Sequence, residues 1–322
     1  MLRLAASLFA VAAAIAPASG HAQSYPAKPV RFLVPYAPGG TSDILSRLIS
    51  QKLSEKWGQQ VIVDNRAGAG GAIGAEMAAR AAPDGYTIMM GVVANMALSP
   101  GLMPQLKYDP IRDFEPITLI ATVPIMIASH PSLPVRRVPD LIALAKRRPG
   151  QINFASSGTG GLPHLSGELF KRLAGIDLVH VPYKGSAQAV TDTMAGQVQM
   201  IFDLMPSTLP HVKQGRLRGI AVCSKGRSNA APDMPTVIES GLPGYEVTSW
   251  FGVLAPAKTP KEIVAQLHAD IGRIITLPDV SQQFAVQGAE PLGSTSEQCR
   301  QLIREDIARW SEVIRTAGAR IE

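Results

Sequence analysis

Residues 30–43 read VRFLVPYAPGGTSD, which is typical of a short apolar strand, a glycine-rich loop and the start of a helix. Residues 152–164 repeat the arrangement as INFASSGTGGLPH. The first turn of a helix has unpaired backbone N–H groups and the positive end of the helix dipole, and both attract anions. Two such helix starts, far apart in the chain, indicate two lobes that close on one anionic ligand.

Strands and helices alternate along most of the chain, which predicts an α/β fold with largely parallel sheets. Apolar residues recur at helical spacing from Ile44 to Leu53, and Gly58 ends this helix. Residues 117–128 read as a long strand. Thr259-Pro260-Lys261-Glu262 reads as a capping box with proline at the first helical position. A mature chain of about 300 residues exceeds one comfortable core, so two domains are expected.

The N-terminus has the pattern of a secretory signal peptide. Arg3 supplies the positive region, residues 4–16 form an apolar run, and Gly20-His21-Ala22 offers a cleavage site. The run is shorter than the roughly 20 residues that a membrane helix needs. We therefore expect residues 1–22 to be removed and the mature chain to be free in the periplasm.

Charge and cysteine content exclude several classes of protein. The formal charge of +6 comes from dispersed basic residues, and aromatic residues make up 5% of the chain. A nucleic-acid-binding protein would have its basic and aromatic residues concentrated on one surface, so no nucleic-acid partner is expected. Cys223 and Cys299 are the two cysteines; they fall in different predicted elements, and a disulfide between them stays open at this point.

Motifs for catalysis, cofactors and metals are missing. The chain has no phosphate-binding P-loop, no G-x-S-x-G elbow and no C-x-x-C pair, and its histidines lack metal-ligand spacing. The absence favours a binding protein with no cofactor and no metal over an enzyme. An enzyme acting on a small acid stays as the alternative, with His164, Lys184 or Asp203 as its acid or base.

The first glycine-rich loop is the first candidate binding element. Gly39 and Gly40 are expected to present N–H groups to an anion, while Thr41 or Ser42 caps the helix. Asp43, in the first turn, complements the helix dipole, and that role accounts for it without a ligand.

The second loop is richer in hydroxyl groups. Ser156, Ser157 and Thr159 surround Gly158, and this polar density is unusual for a purely structural turn. His164 is either a structural residue of the first helical turn or a ligand contact.

Two further candidates follow predicted strands at the same kind of edge. Tyr183-Lys184-Gly185 comes directly after the strand at 178–181, and Asp203 ends the strand at 198–202. Ligands of open α/β sheets bind outside the carboxyl ends of strands. Lys184 is equally well explained as a surface lysine. Asp203, as an acceptor, suits a ligand amine, hydroxyl or bridging water.

Several segments resemble the Bug-type receptors, the periplasmic solute-binding proteins of tripartite tricarboxylate transporters. The similarity runs in order along essentially the whole mature chain. The segments that carry it are Tyr25 to Arg31, Val34 to Asp43, Asn65 to Gly71, Pro83 to Thr87, Tyr108 to Pro110, His164-Leu165, His180 to Gly185, Pro235-Thr236, Trp250 to Gly252, Ala255 to Ala257 and Ala317-Gly318.

The resemblance implies a two-lobed Venus flytrap fold, type II-like, with a mainly parallel sheet in each lobe. Lobe 1 would comprise residues 24–123 and 246–322, and lobe 2 residues 124–245. In such receptors the ligand carboxylate is held by the loop of Tyr36 to Thr41, which includes Pro38, and by the loop of Ser156 to Thr159, with Ala94-Asn95 nearby.

The resemblance also implies partners. These are a small carboxylate ligand and the membrane permease subunits, and the receptor itself is expected to be a monomer. A receptor that presents its ligand to a membrane sensor fits the same residues. The ligand class stays open among dicarboxylates, tricarboxylates, acidic amino acids and aromatic acids.

Overall fold

The computed structural model describes residues 25–183, 185–286 and 288–317. The predicted signal peptide at 1–22, Lys184 and residues 318–322 lie outside the described residues.

Strands and helices alternate as the sequence predicts. The strands are β1 (Val30–Val34), β2 (Val61–Asn65), β3 (Thr87–Val92), β4 (Phe114–Ser129), β5 (Asn153–Ser156), β6 (Val179–Pro182), β7 (Met200–Leu204), β8 (Arg218–Val222), β9 (Thr248–Pro256) and β10 (Glu290–Pro291). The helices are α1 (Thr41–Trp57), α2 (Ala72–Ala79), α3 (Ser99–Leu102), α4 (Val138–Arg147), α5 (Leu162–Ala174), α6 (Ser186–Met194), α7 (Met205–Lys213), α8 (Lys261–Ile275), α9 (Pro278–Val286) and α10 (Ser296–Ala317). A 3₁₀ turn at Ala69–Gly71 precedes α2, and a π-helical turn at Ala94–Leu98 precedes α3.

One lobe is built on the sheet β2-β1-β3-β9-β4-β10. Strands β1, β2 and β3 are parallel, and β9 runs antiparallel to both β3 and β4. It follows that β1, β2, β3 and β4 share one direction. Their side chains alternate between two cores: Phe32 packs under α1 and α8, whereas Leu33 faces α2 and α10.

The other lobe is built on the sheet β6-β5-β7-β4-β8. Strands β5, β6 and β7 are parallel, and β4 runs antiparallel to both β7 and β8. Strands β5, β6, β7 and β8 therefore share one direction. The expected α/β fold with two lobes and a predominantly parallel strand direction in each is confirmed.

Strand β4 belongs to both sheets and changes partner along its length. From Phe114 to Pro124 it pairs with β9, and from Ile125 to Ser129 it pairs with β7. A second crossing lies beside it, because the Cys223 N–H donates to Ile125 O at 2.8 Å and the Val247 N–H donates to Cys223 O at 2.8 Å. Two adjacent extended segments thus connect the lobes.

One local expectation is wrong, and two helices were not predicted. Helix α8 begins at Lys261 without a side-chain cap, and the Thr259 hydroxyl donates instead to Pro256 O at 2.8 Å. The helices that were not predicted are α7 and α9. Helix α7 contains Pro206 and Pro210, which in a sequence read as turn residues.

The two cysteines are separate in space and free. Both are buried, Cys223 beside the Tyr245 hydroxyl and Cys299 within α10. Burial raises the pKa of each thiol to about 12, so both thiols are protonated and unreactive at neutral pH.

Candidate binding cleft

A cavity of about 500 Å³ lies where the strand-end loops of the two lobes meet. This volume falls in the range usual for small-molecule sites. Its lobe 2 wall is the loop between β5 and α5, and its lobe 1 wall is formed after β2 and β3. The lining residues are Ala69, Gly70, Ala94, Leu98, Ser99, Leu102, Met103, Ser157, Gly158, Thr159, Gly160 and Gly161.

The lobe 2 loop curls tightly because Gly158 and Gly160 have positive φ angles of 148° and 75°. Three of its N–H groups are used internally, and one of them is the Gly161 N–H, which donates to Gly158 O at 3.4 Å. Gly158 donates to Ser156 Oγ at 3.3 Å, and Gly160 donates to His164 Nδ1 at 3.1 Å. The N–H groups of Ser157 and Thr159 make no hydrogen bond to another described residue, so they can serve a ligand at the N-terminus of α5.

Two stacked histidines support this loop from below. The rings of His164 and His180 lie 3.9 Å apart at 21°, and Ser156 Oγ is 2.7 Å from His180 Nε2. Burial lowers the pKa of His164 to about 4 and that of His180 to about 3, and the charge of Lys171 adds to both shifts. Both rings are neutral at pH 7. His164 therefore positions the loop, and the alternative of a direct ligand contact does not fit its buried side chain.

The lobe 1 loop is held by charge instead. Asp43 Oδ2 accepts from the Gly39 N–H at 2.9 Å and from Arg47 Nε at 3.0 Å, and its Oδ1 accepts from Asn65 Nδ2 at 3.0 Å. Burial alone would raise the pKa of Asp43, but the hydrogen bonds from Arg47, Gly39 and Asn65 outweigh it and lower the pKa. Asp43 thus braces the loop rather than the ligand.

Two expectations for this loop are corrected. The Gly39 N–H is already bonded to Asp43, so it is not free for an anion. The N-cap of α1 is Gly40, and neither Thr41 nor Ser42 caps the helix with its side chain. The N–H groups left at this end are those of Gly40 and the first helical turn.

The lobe 1 loop flanks the cavity without lining it. Tyr36 Oη donates to Gly70 O at 3.2 Å, and Gly70 is part of the lobe 1 wall. Pro38, Gly39 and Gly40 are exposed beyond it. Of the residues that the sequence singled out, the structure brings Ala94, Ser157, Gly158 and Thr159 together around the cavity.

Asn95 and Asp203 do not reach the cavity. Asn95 is fully buried, and its Oδ1 accepts from the Val92 N–H at 2.8 Å. Asp203 is fully buried as well; its Oδ1 accepts from the Leu204 N–H at 2.8 Å, and burial raises its pKa to about 6. Both side chains serve the ends of strands β3 and β7, where an unpaired N–H group would be costly.

Ser156, Tyr183 and Gly185 lie around the base of the lobe 2 loop. The Ser156 hydroxyl is used within the loop and on His180. Tyr183 N–H donates to Ser156 O at 3.1 Å, and Gly185 is the N-cap of α6. These residues shape the loop from the neighbouring strand end.

Apart from Ala94, the residues of the lobe 1 wall were not identified as candidates from the sequence. Ala69 and Gly70 belong to the glycine-rich segment after β2, and its position after a strand was the one available signal. Leu98, Leu102 and Met103 carried none, because apolar residues of a short helix look like ordinary core.

A larger groove of about 710 Å³ lies elsewhere. It is bounded by Lys171, Arg172 and Gly175 at the C-terminal end of α5 and by Val313 and Thr316 of α10. Because α5 is about 20 Å long, this groove is remote from the strand-end loops. We take the smaller cavity as the candidate site, since both lobes contribute strand-end loops to it.

The described residues offer little for other chemistries. Among them, no group of three or more His, Cys, Asp or Glu side chains is arranged to hold a metal ion. Nor does this part of the chain include a helix long and apolar enough to cross a membrane.

The comparisons with known proteins agree with one another. The TctC family, described as "Tripartite tricarboxylate transporter family receptor", matches residues 45–319. The chain belongs to this receptor family. BugT of Bordetella pertussis is similar to it, with 37% identity over 323 residues that span all of this chain and 98% of BugT.

Solved structures of the receptor family share its fold. A Rhodopseudomonas protein, "R. palustris Rpa4515 with adipate", has 38% identity and a TM-score of 0.84 over 92% of this chain and 100% of its own. The periplasmic binding protein BugD has 33% identity and a TM-score of 0.80, with coverage of 92% and 100%. The TctC receptor therefore has the two-lobed fold of periplasmic binding proteins.

Proposed function

We propose that this receptor captures a small carboxylate between its lobes in the periplasm and delivers it, as a monomer, to the permease of a tripartite tricarboxylate transporter. The observation that carries the proposal is the cavity between the lobes, whose lobe 2 wall includes the N–H groups of Ser157 and Thr159 in the loop before α5, which make no hydrogen bond to another described residue. Family membership and the adipate carried by a 38% identical protein support it.

The lobes are proposed to divide at 123/124 and 245/246, with lobe 1 comprising 24–123 and 246–322. The change of partner in β4 between Pro124 and Ile125 supports the first boundary. The bond between Val247 N and Cys223 O supports the second. Rotation about these two adjacent segments would let ligand contacts shift the population towards a closed state.

The ligand carboxylate is proposed to meet both helix starts. In lobe 2 it would accept from the N–H groups of Ser157 and Thr159. In lobe 1 the exposed N-terminal end of α1, at Gly40 and Thr41, would approach it when the lobes close. Such N–H groups bind an anion without requiring an arginine.

Binding without chemical conversion is part of the proposal. Two of the three acid and base candidates of the enzyme alternative, His164 and Asp203, are buried beneath the strand-end loops and do not line the cavity, and Lys184 lies outside the described residues. A ligand incubated with the protein should be recovered unchanged, and a product in the eluate would favour the enzyme.

The direct test is a calorimetric and thermal-shift screen of refolded protein against mono-, di- and tricarboxylates, with uncharged analogues as controls. A ligand at about 100 times its dissociation constant should stabilise by roughly 2.7 kcal/mol. Absence of any carboxylate-dependent shift would overturn the proposal.

A matched pair of variants tests the lobe 1 contact. A Cβ at Gly40 would meet one neighbouring atom, at 3.8 Å, and a Cβ at Gly226 would meet none within 4 Å. Gly40→Val should weaken carboxylate binding by at least about tenfold, because its side chain occupies the helix end. Gly226→Val is the control with normal binding. Equal binding by both variants would remove this loop from the site.

A further inference from the structure

The two walls of the cavity differ in chemistry. The lobe 2 wall, Ser157–Gly161, is glycine backbone with two hydroxyl-bearing residues. The lobe 1 wall consists of Ala69, Gly70 and Ala94, followed by Leu98, Leu102 and Met103 and the hydroxyl of Ser99. A ligand in this space therefore meets hydrogen-bond donors on one side and hydrocarbon on the other.

The single hydroxyl of the lobe 1 wall is already committed. Ser99 Oγ, at the start of α3, donates to Ala94 O of the preceding π-helical turn at 3.0 Å. Ser99 is buried as well. Its hydrogen is therefore not directed at a ligand.

None of the described residues lining the cavity carries a charged side chain. The larger groove differs in this respect, since Lys146, Glu168, Lys171, Arg172 and Asp177 border it. A second carboxylate placed against Leu98, Leu102 and Met103 would lose its hydration, and the described residues of this wall offer no cation or free side-chain donor in exchange. Burying an unpaired charge in such surroundings is strongly unfavourable.

From this asymmetry we infer that the ligand carries one carboxylate on an uncharged, apolar body. The carboxylate lies on the Ser157–Gly161 wall, and the body lies against Leu98, Leu102 and Met103. This inference rests on the proposed function, because it specifies the class of acid that the same cavity accepts. It sets this receptor apart from the relative that carries adipate, a dicarboxylate.

The test uses ligands of one length that differ in their end groups. Hexanoate, adipate and hexanamide have the same number of carbons, and calorimetry of the refolded full-length mature protein measures the affinity of each. We expect hexanoate to bind at least about tenfold more tightly than adipate, since the second charge is desolvated without a partner. Straight-chain acids longer than butanoate should gain about fourfold per methylene until the cavity is filled.

A pair of variants at Met103 sharpens the test. Met103 is partly exposed in the lobe 1 wall, so a lysine side chain with its ammonium group can replace it without disrupting the core. Met103→Lys should weaken hexanoate and strengthen adipate, reversing the preference, because its ammonium pairs with the second carboxylate. Met103→Leu, of similar volume, should keep the wild-type preference. Unliganded melting temperatures show that both variants fold.

The outcomes separate this inference from the proposed function. If adipate binds as well as hexanoate in the wild type, or if Met103→Lys leaves the ratio unchanged, the apolar body is wrong while the carboxylate receptor stands. If hexanamide binds as well as hexanoate, the carboxylate itself is not recognised and both fail. If no acid binds the refolded protein, both are overturned as well.

Discussion

The loop after β1 and the loop after β5 both connect a strand to a helix, but a charged side chain supports the first and neutral side chains support the second. Each connects a strand to a helix start through at least one glycine with positive φ, Gly39 in the first loop and Gly158 and Gly160 in the second. In lobe 1 the ionised carboxylate of Asp43 accepts hydrogen bonds from the Gly39 N–H, Arg47 and Asn65. In lobe 2 two neutral histidines do this work, His164 on the Gly160 N–H and His180 on Ser156.

The difference follows from burial. Arg47 is exposed, so the charges of the lobe 1 network remain partly hydrated and their ion pair is cheap to maintain. The lobe 2 histidines lie under the loop, where a charge would be costly, and a neutral imidazole nitrogen can still accept a hydrogen bond. Among the described residues, the cavity wall formed by this loop carries no charged side chain, and its backbone N–H groups are the donors that we propose for an anion.

The largest effect is expected when the lobe 2 support is removed. His164→Leu leaves the buried Gly160 N–H without an acceptor, which should cost about 3 kcal/mol of unfolding free energy and abolish ligand binding. His164→Asn retains an oxygen near the position of Nδ1 and should keep binding. Urea unfolding and calorimetry measure both effects. If the Leu and Asn variants behave alike, the acceptor is irrelevant.

Acid should weaken the lobe 2 support well before the lobe 1 support. The pKa of His164 is about 4 in the folded protein and about 6.5 in the unfolded chain, so the unfolded chain binds the proton first and stability falls between those values. The wild type should lose about 2 kcal/mol more than His164→Asn between pH 7 and pH 5.

The comparison with His164→Asn is needed because Asp203 acts in the opposite direction. Its raised pKa, about 6, means that the folded protein takes up this proton first, which adds stability as the pH falls. The Asp203 contribution is common to both proteins and cancels. A pH dependence that is identical in the wild type and in His164→Asn would contradict the role of the stacked pair.

Removal of the lobe 1 support should cost less. Asp43→Ala frees the Gly39 N–H and Arg47, which should lower the unfolding free energy by about 1.5 kcal/mol. Asp43→Asn keeps one acceptor oxygen, which can still accept from the Gly39 N–H, and should lose less. Because the pKa of Asp43 is already lowered, the loss should be the same at pH 7 and pH 5. Chemical unfolding of the wild type and the variants at pH 7 and pH 5 measures the loss. A loss that changes strongly with pH would contradict the assignment of a charged, pH-independent support to lobe 1.

The smallest effect distinguishes two adjacent glycines. Gly39 has a φ of +84°, so Gly39→Ala should cost about 1 kcal/mol in backbone strain. Gly40 has a φ of −80°, and a Cβ there would make one ordinary contact at 3.8 Å, so Gly40→Ala should change stability by less than about 0.5 kcal/mol. Parallel urea titrations give both values. Equal losses would show that the loop does not require its left-handed residue.

Local signals in the sequence were sufficient for most of the elements. The apolar spacing from Ile44 to Leu53 and the left-handed Gly58 define α1, and the long apolar run of β4 is found where it was predicted. Helix α7 was not predicted because its two prolines have low helix propensity. Tertiary packing stabilises this helix in spite of them.

The sequence by itself determined the α/β pattern and the two glycine-rich turns, because strand and helix periodicity and positive φ are local properties of the chain. Only the tertiary structure decided which polar groups remain for a ligand. The Gly39 N–H and the Asn95 Oδ1 are bonded to neighbours, Asp203 is buried away from the cavity, and Leu98, Leu102 and Met103 form part of the cavity wall. Hydrogen-bond partners and side-chain burial depend on residues distant in sequence, and no local pattern encodes them.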